Sequence, residues 1–550
     1  MRTPLSLCVF LCLGSSGLAA ASGPRKSTTL HGVRITSFDG TNLSADVHIP
    51  QATSASERFP VVIFANSWAC PQFEYVLDTV QLAGQGYLVV EYATRGWYES
   101  GGKIEAGGSQ DQKDQSVVIS YVLGQEAWQP DAASLALAGI SYGGGLALLG
   151  AAHDERVKTA LSLSGWADLE RALFENGSPN LVWGSVLIAS GKVLGRLDPL
   201  VSQMWGHVLR GEEAAFHDFA AVRSAVTYAD ALRARKVPLF LSNNMEDRLF
   251  KPQDMLDFFE GYPGPKKMLL NQGIHATAEI GGLVDIRLNH VWAEVKVWLD
   301  QWLKGRPAQD SVLVDVQLRD DRKVREVFVD WPSKRMAWLG YAPAPRGTFG
   351  LHGSLVPSAG RGAAGGAAPA NESITFGVNT GMSAGVPVIG EILQVFLDKR
   401  IVSQLAFASR SHAIWYYARV SKDMRLCGTP RVSLDITASA PRWQVVAYLF
   451  SVNLLSQGTL ISHGSSTCWN CTAGQRQTRK IELRTLCEDV KAGLGRGGLA
   501  LGLSLYSDMY QPANIDPRLK VTFHYSDSFG LQVPEVVTAG SQGPASAIVI

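Results

Sequence analysis

The sequence predicts two domains, a doubly wound α/β domain with a mostly parallel sheet followed by an all-β antiparallel sandwich. Three observations carry this. Between residues 60 and 271, short and nearly continuous apolar runs alternate with helical stretches, the pattern of parallel strands buried on both faces. From about residue 310 helical periodicity becomes scarce and short β-type runs replace it. At 550 residues the chain is too long for one average domain, and its 46% hydrophobic content is ordinary for a packed protein.

The elements follow in order. Residues 1–21 carry a positive Arg2, an apolar run at 4–13 and small residues at Ala19-Ala20-Ala21, and read as a secretory signal peptide, so export is expected. Residues 32–49 read as two strands around an Asp39-Gly40 turn. Strands are expected at 60–65, 87–92, 134–140, 157–163, 237–242 and 266–271, with helices at 112–127 and 143–152. Residues 165–232, helix-like and rich in Leu, Val, Ala and Trp, interrupt the alternation and read as a cap over the sheet's C-terminal edge. An amphipathic helix at 290–304 and the break Gly305-Arg306-Pro307 close a domain of residues 28–306. The sandwich is expected over 310–540, with strands at 312–318, 326–330, 431–437, 443–451, 498–506 and 519–524 and a Gly/Ala/Pro-rich loop at 356–370. No later segment is apolar enough to suggest a membrane span.

A formal net charge of +1 gives no electrostatic footprint for nucleic acid. Beyond the signal region the cysteines are Cys70, Cys427, Cys468, Cys471 and Cys487, and the four late ones allow three full pairings. Cys468-Trp469-Asn470-Cys471 has no partner pair at zinc-site spacing and reads as a structural disulfide or plain thiols.

Gly139-Ile140-Ser141-Tyr142-Gly143 lies between an expected strand and an expected helix, the setting of a nucleophile elbow. The turn there is so tight that residues two away from the serine must be small. It also lifts the hydroxyl to a helix N-terminus, where developing negative charge is stabilised. The same five-residue pattern recurs at Gly381-Met382-Ser383-Ala384-Gly385, without a clear apolar strand before it and with Pro387 after it, and is set aside as a loop. A serine nucleophile needs a base, and the base an orienting acid, in chain order Ser, Asp or Glu, His. Asp247 follows the strand at 237–242 and is preferred to its neighbour Glu246, and His275 lies in the loop after 266–271. For the oxyanion, the Tyr142 amide is one donor, and the loop Asn66-Ser67-Trp68 supplies the other, through a backbone amide or the Trp68 indole.

These residues resemble the cocaine-esterase/X-Pro dipeptidyl-peptidase-like hydrolases, the S15 group. The carriers are Asp39-Gly40, TRGWYESGG at 94–102, GISYGG at 139–144, the helical insert, Trp331-Pro332 and LCGTPRVSLDITAS at 426–439. The resemblance implies an α/β-hydrolase domain with a C-terminal jelly roll and a triad of Ser141, Asp247 and His275. It also implies hydrolysis of an ester or amide through an acyl-enzyme, with no cofactor and no metal. Trp68 stands where esterase members often carry a tyrosine, and 91–94 lacks the family's usual Asp. Arg248 and Leu249, where relatives specific for amino acids place carboxylates, argue against recognition of a substrate ammonium. The sequence therefore points to an exported hydrolase of a small ester or short amide. An X-Pro dipeptidyl-peptidase and a non-catalytic binding protein on the same scaffold are the alternatives.

Overall fold

A hairpin of β1 (Ser27–Thr36) and β2 (Asn42–Pro50) opens the first sheet, its turn carrying Gly40 at φ +83°. This computed structural model describes residues 24–283, 288–347, 350–358, 371–382, 401–453, 455–492, 497–537 and 548–549. The expected signal peptide at 1–21 and Ser383 of the second five-residue match lie outside the described residues.

The next strands are β3 (Phe59–Ala65), β4 (Leu88–Tyr92), β5 (Pro130–Ile140), β6 (Thr159–Leu163), a two-residue β7 (Ser178–Pro179) outside the sheet, β8 (Leu239–Asn244) and β9 (Lys266–Asn271). The sheet runs β1-β2-β4-β3-β5-β6-β8-β9, antiparallel as far as β4 and parallel from there. Alternate residues of each strand enter different cores. Ile63, Leu137 and Leu241 pack with α2 (Ser109–Leu123) and α3 (Tyr142–His153). Phe64, Ala138 and Phe240 pack with α1 (Val76–Gly84) and α11 (His290–Lys304). Burial on both faces is why the strands read as unbroken apolar runs.

The cap, expected at 165–232, is five helices between β6 and β8. They are α4 (Leu169–Phe174), α5 (Leu181–Leu194), α6 (Pro199–Leu209), α7 (Glu213–Val222) and α8 (Ala229–Arg235). Two further helices, α9 (Pro252–Glu260) and α10 (Thr277–Ile280), follow β8 and β9.

One boundary is corrected. The runs at 312–318 and 326–330 were expected in the sandwich. Instead β10 (Val314–Gln317) pairs parallel with β9, and β11 (Val324–Phe328) pairs antiparallel with β10, both extending the first sheet. A short alternating run is the same whichever sheet it joins, since local periodicity does not encode the pairing partner.

The sandwich begins at Met336–Ala344 and is antiparallel among the described residues apart from one parallel contact of Gly353–Pro357 with Ala413–Arg419. It encloses its own core, with Trp443, Leu449, Leu501 and Phe523 fully buried. The disulfides are Cys427–Cys487, joining directly paired residues of adjacent strands, and Cys468–Cys471. Cys70 lies outside both, in the loop after β3.

Candidate active site

The strand order reverses at β3, whose neighbours β4 and β5 lie on opposite sides, so the loops after β3 and β5 diverge and leave a crevice at the sheet's C-terminal edge. Ser141 sits there at φ +55°, between β5 and α3. Its amide donates to the Leu163 carbonyl at 2.7 Å, which fixes the turn against β6. Small neighbours are a steric necessity. A Cβ on Gly143 would lie 2.2 Å from the Ala65 carbonyl oxygen, and one on Gly139 2.5 Å from the Gly143 carbonyl carbon. The unfavourable backbone angle is sustained because these contacts over-determine the turn.

Asp247 follows β8 in a tight loop, fully buried, with Oδ1 accepting from the amides of Leu249 at 2.8 Å and Phe250 at 3.0 Å. Its Oδ2 meets His275 Nδ1 at 2.7 Å, and His275 Nε2 meets Ser141 Oγ at 2.7 Å. The structure thus brings the three expected residues into one hydrogen-bonded chain. Glu246 turns away into a different cavity. Burial alone would lower the His275 imidazole. The adjacent Asp247 charge and its hydrogen bond, with Glu279 beyond, hold it above its ordinary value. The rings of Trp183 and Phe250 flank it, each with its centroid 5.4 Å away.

Tyr142 begins α3, which places its amide beside the serine. Its hydroxyl donates to Asp111 Oδ2 at 3.0 Å and accepts from the Gly107 amide at 3.1 Å. Burial, then the charge of Asp114, pushes the Asp111 carboxyl up to about 7. Trp68 lies edge-on to the Tyr142 ring at 5.3 Å, and its indole N–H donates to Ser190 Oγ on α5 at 3.1 Å. The Ser67 amide donates to Glu74 Oε2 at 2.7 Å. Two of the donors in the first loop are therefore occupied.

Ser141 opens into a cavity with about 670 Å³ of space, its mouth included, walled by Trp68, Trp166, Leu173, Leu187, Ile188, Trp205, Phe219 and Phe250 among others. None of its lining residues carries a charge. The cap and the loop at 249–250 supply most of the walls, and among the described residues the sandwich supplies none. Among the described residues no three His, Cys, Asp or Glu side chains are grouped to hold a metal ion, and no helix is long and apolar enough to cross a membrane.

Two supporting groups escaped the sequence reading. Glu279, fully buried on α10, accepts from Ser242 Oγ at 2.6 Å and Asn244 Nδ2 at 2.7 Å, tying the His275 loop to the end of β8. Arg484, from the sandwich, donates to the Asp247 carbonyl at 2.8 Å. Glu279 lies only four residues beyond His275, which is a weak positional signal; nothing in sequence links Arg484 to the site.

An elbow serine with its imidazole and carboxylate, on a mostly parallel sheet under a helical cap, defines an α/β-hydrolase. Residues 39–277 match the family model described as X-Pro dipeptidyl-peptidase (S15 family). A CocE/NonD family hydrolase from Staphylococcus aureus has the same fold, with a TM-score of 0.67 at 13% identity over 93% of this chain and 94% of its own. An α-amino acid ester hydrolase reaches 0.69 at 14% identity, over 96% and 99% of the two chains. An aminopeptidase from a marine sediment archaeon, Thaumarchaeota archaeon, reaches 0.67 at 13% identity over 96% and 99%. No curated protein matches the sequence. The chain is thus similar to the S15 family over residues 39–277 and shares with these structures an α/β-hydrolase domain followed by a C-terminal β-sandwich.

Proposed function

We propose that the protein hydrolyses carboxylic esters of uncharged acids through an acyl-enzyme, with Ser141 as nucleophile, His275 as general base and Asp247 as orienting acid. The carrying observation is the Ser141–His275–Asp247 hydrogen-bond chain at the floor of a cavity lined without charge. His275 Nε2 takes the Ser141 proton as Oγ attacks the carbonyl carbon, and Asp247 holds the Nδ1–H tautomer and stabilises the imidazolium. The Tyr142 amide receives the oxyanion. Because the Trp68 indole is engaged with Ser190, we assign the second donor to the Trp68 main-chain amide. His275 then protonates the leaving alkoxide, and water repeats the sequence on the acyl-enzyme. An amide enters the same steps, but a free substrate ammonium would find no carboxylate on the cavity wall, which favours esters over N-terminal dipeptides. Export is part of this reading, supported by the signal-like residues 1–21 and by two disulfides.

The test is fluorophosphonate labelling mapped by mass spectrometry, followed by p-nitrophenyl esters set against Ala-Pro p-nitroanilide. We expect stoichiometric labelling at Ser141, abolished in Ser141→Ala with kcat falling by about 10³ or more, and esters strongly preferred. Absence of labelling in the folded protein would favour a binding scaffold. Preference for the anilide would favour the peptidase.

A further inference from the structure

Among the described residues the sandwich does not line the cavity, yet it grips the helices that do. Its strand Gln457–Cys468 ends against the cap. The Thr467 amide donates to the Asn176 carbonyl at 2.9 Å, Asn176 Nδ2 donates to the Ser465 carbonyl at 3.2 Å, and the Ser178 and Thr467 hydroxyls meet at 2.6 Å. Trp469 comes next, inside the ring closed by the Cys468–Cys471 disulfide. Its indole N–H donates to the Gly177 carbonyl at 2.7 Å, and the ring lies so close over Gly211 that a Cβ there would fall 1.9 Å from it. Gly177 precedes α5, and Gly211 separates α6 from α7. Leu187, Ile188, Val201, Trp205, Phe216 and Phe219 of these three helices roof the cavity. One indole therefore pins both turns from which the roof is hung.

The two disulfides differ in access. Cys427 and Cys487 are buried, whereas Cys468 and Cys471 are part-exposed and flank the exposed Asn470. Arg479 Nη2 lies 3.1 Å from Cys471 Sγ, where a guanidinium stabilises a thiolate and makes Cys471 the better leaving sulfur.

We propose that Trp469 is a positioning residue for the roof of the cavity and that the Cys468–Cys471 disulfide is a reducible clasp that holds it there. A dithiol attacks Cys468 Sγ, the Cys468–Cys471 bond breaks, and Cys471 leaves as a thiolate. The dithiol's second sulfur then closes its own disulfide and frees Cys468. Two electrons and two protons pass to the protein, and the 468–471 ring opens. The effect on substrates rests on the reading of the cavity as the acyl pocket.

The experiment compares p-nitrophenyl acetate, too small to need the roof, with p-nitrophenyl benzoate in wild type, Trp469→Ala, Trp469→Phe and Cys468→Ser/Cys471→Ser. We expect kcat/KM for the benzoate to fall roughly 10- to 100-fold, chiefly through KM, in the Ala and double-Ser variants. The acetate changes little, and Trp469→Phe, which keeps the ring over Gly211 but loses the hydrogen bond to Gly177, falls between wild type and Trp469→Ala. Brief dithiothreitol treatment of wild type, with alkylation mapping, should open Cys468–Cys471 before Cys427–Cys487 and give the same selective, reoxidation-reversible loss. That arm stands even if the variants fold poorly. Unchanged discrimination in the reduced enzyme or in Trp469→Ala overturns the proposal, as does an equal loss on both esters. If fluorophosphonate fails to label wild type, the hydrolase reading falls on its own. The clasp is then judged by hydrogen exchange over residues 177–222, where protection unchanged by reduction overturns it.

Discussion

Two cavities abut the same short loop, residues 245–250, and they are opposites. On one side Leu249 and Phe250 face the apolar cavity that holds Ser141. On the other, Met245, Glu246 and Arg248 face a polar cavity shared with Arg319, His463 and Arg484, where the two domains meet. Asp247 sits between them. Its carboxylate reaches His275 in the first direction, and its carbonyl is held by Arg484 in the second. In the polar cavity, burial and then the charges of Arg484, Arg248 and Lys251 push His463 well below its ordinary value, and Nδ1 meets the Tyr510 hydroxyl at 2.9 Å. The first cavity holds the Ser141 hydroxyl among apolar walls. The second is lined by Glu246, Glu488, Arg248, Arg319 and Arg484, and fits a domain seam that stiffens the loop from behind.

The largest effect should come from the side that faces the chemistry. Asp247→Asn keeps the shape of the loop but loses the acceptor that fixes the His275 tautomer. We expect kcat to fall on the order of 10⁴-fold, with fluorophosphonate labelling slowed in proportion. A loss of only a few-fold would make Asp247 a structural loop carboxylate and sink its assignment.

Arg484 sharpens the comparison from the seam. Arg484→Met removes a buried donor and leaves the Asp247 carbonyl unmatched, which costs about 1–3 kcal/mol of stability. If the seam positions the acid, kcat falls as well, by roughly tenfold, while KM changes little. Chemical denaturation and steady-state kinetics on the same preparation separate the two readouts. A stability loss with kcat unchanged would show that the seam joins the domains without serving the site.

What the sequence revealed follows the same division. Ser141, Asp247 and His275 were legible because a strand, a sharp turn and chain order constrain them locally: Gly139 and Gly143 are needed by contacts that any such elbow makes. The central strands were legible because burial on both faces leaves unbroken apolar runs such as β4 and β6. Features that depend on which distant segments meet were not. Val314–Gln317 could have joined either sheet, and its partner β9 lies over forty residues upstream. Arg484 meets a carbonyl 237 residues away. The cap was visible as a helical interruption, but its role as the roof was not, because helical periodicity marks an apolar face without naming what that face covers. The Trp68 indole was open as an oxyanion donor in sequence, and only the position of Ser190 on α5 shows it occupied.

The smallest effect we expect is on the pH profile, and it tests how far the site's electrostatics extend behind the triad. His275 must be neutral to accept the serine proton, so kcat/KM falls as pH drops through its folded value. Burial works to lower that value, while Asp247 and then Glu279 raise it. For stability the sign is reversed: a raised imidazole contributes stability that is complete below its unfolded value and lost as pH rises through its folded one. Glu279→Gln keeps an acceptor for Ser242 or Asn244 but removes the charge. The acid limb of kcat/KM should therefore move to lower pH with the plateau little changed, and the stability lost on raising pH through the imidazole should shrink. Burial itself pushes the Glu279 carboxyl upward, against the hydrogen bonds from Ser242, Asn244 and Ser164. An unmoved limb would thus mean that Glu279 stays protonated across the working range and acts as a neutral strut between α10 and β8, leaving Asp247 alone to hold the His275 imidazole up.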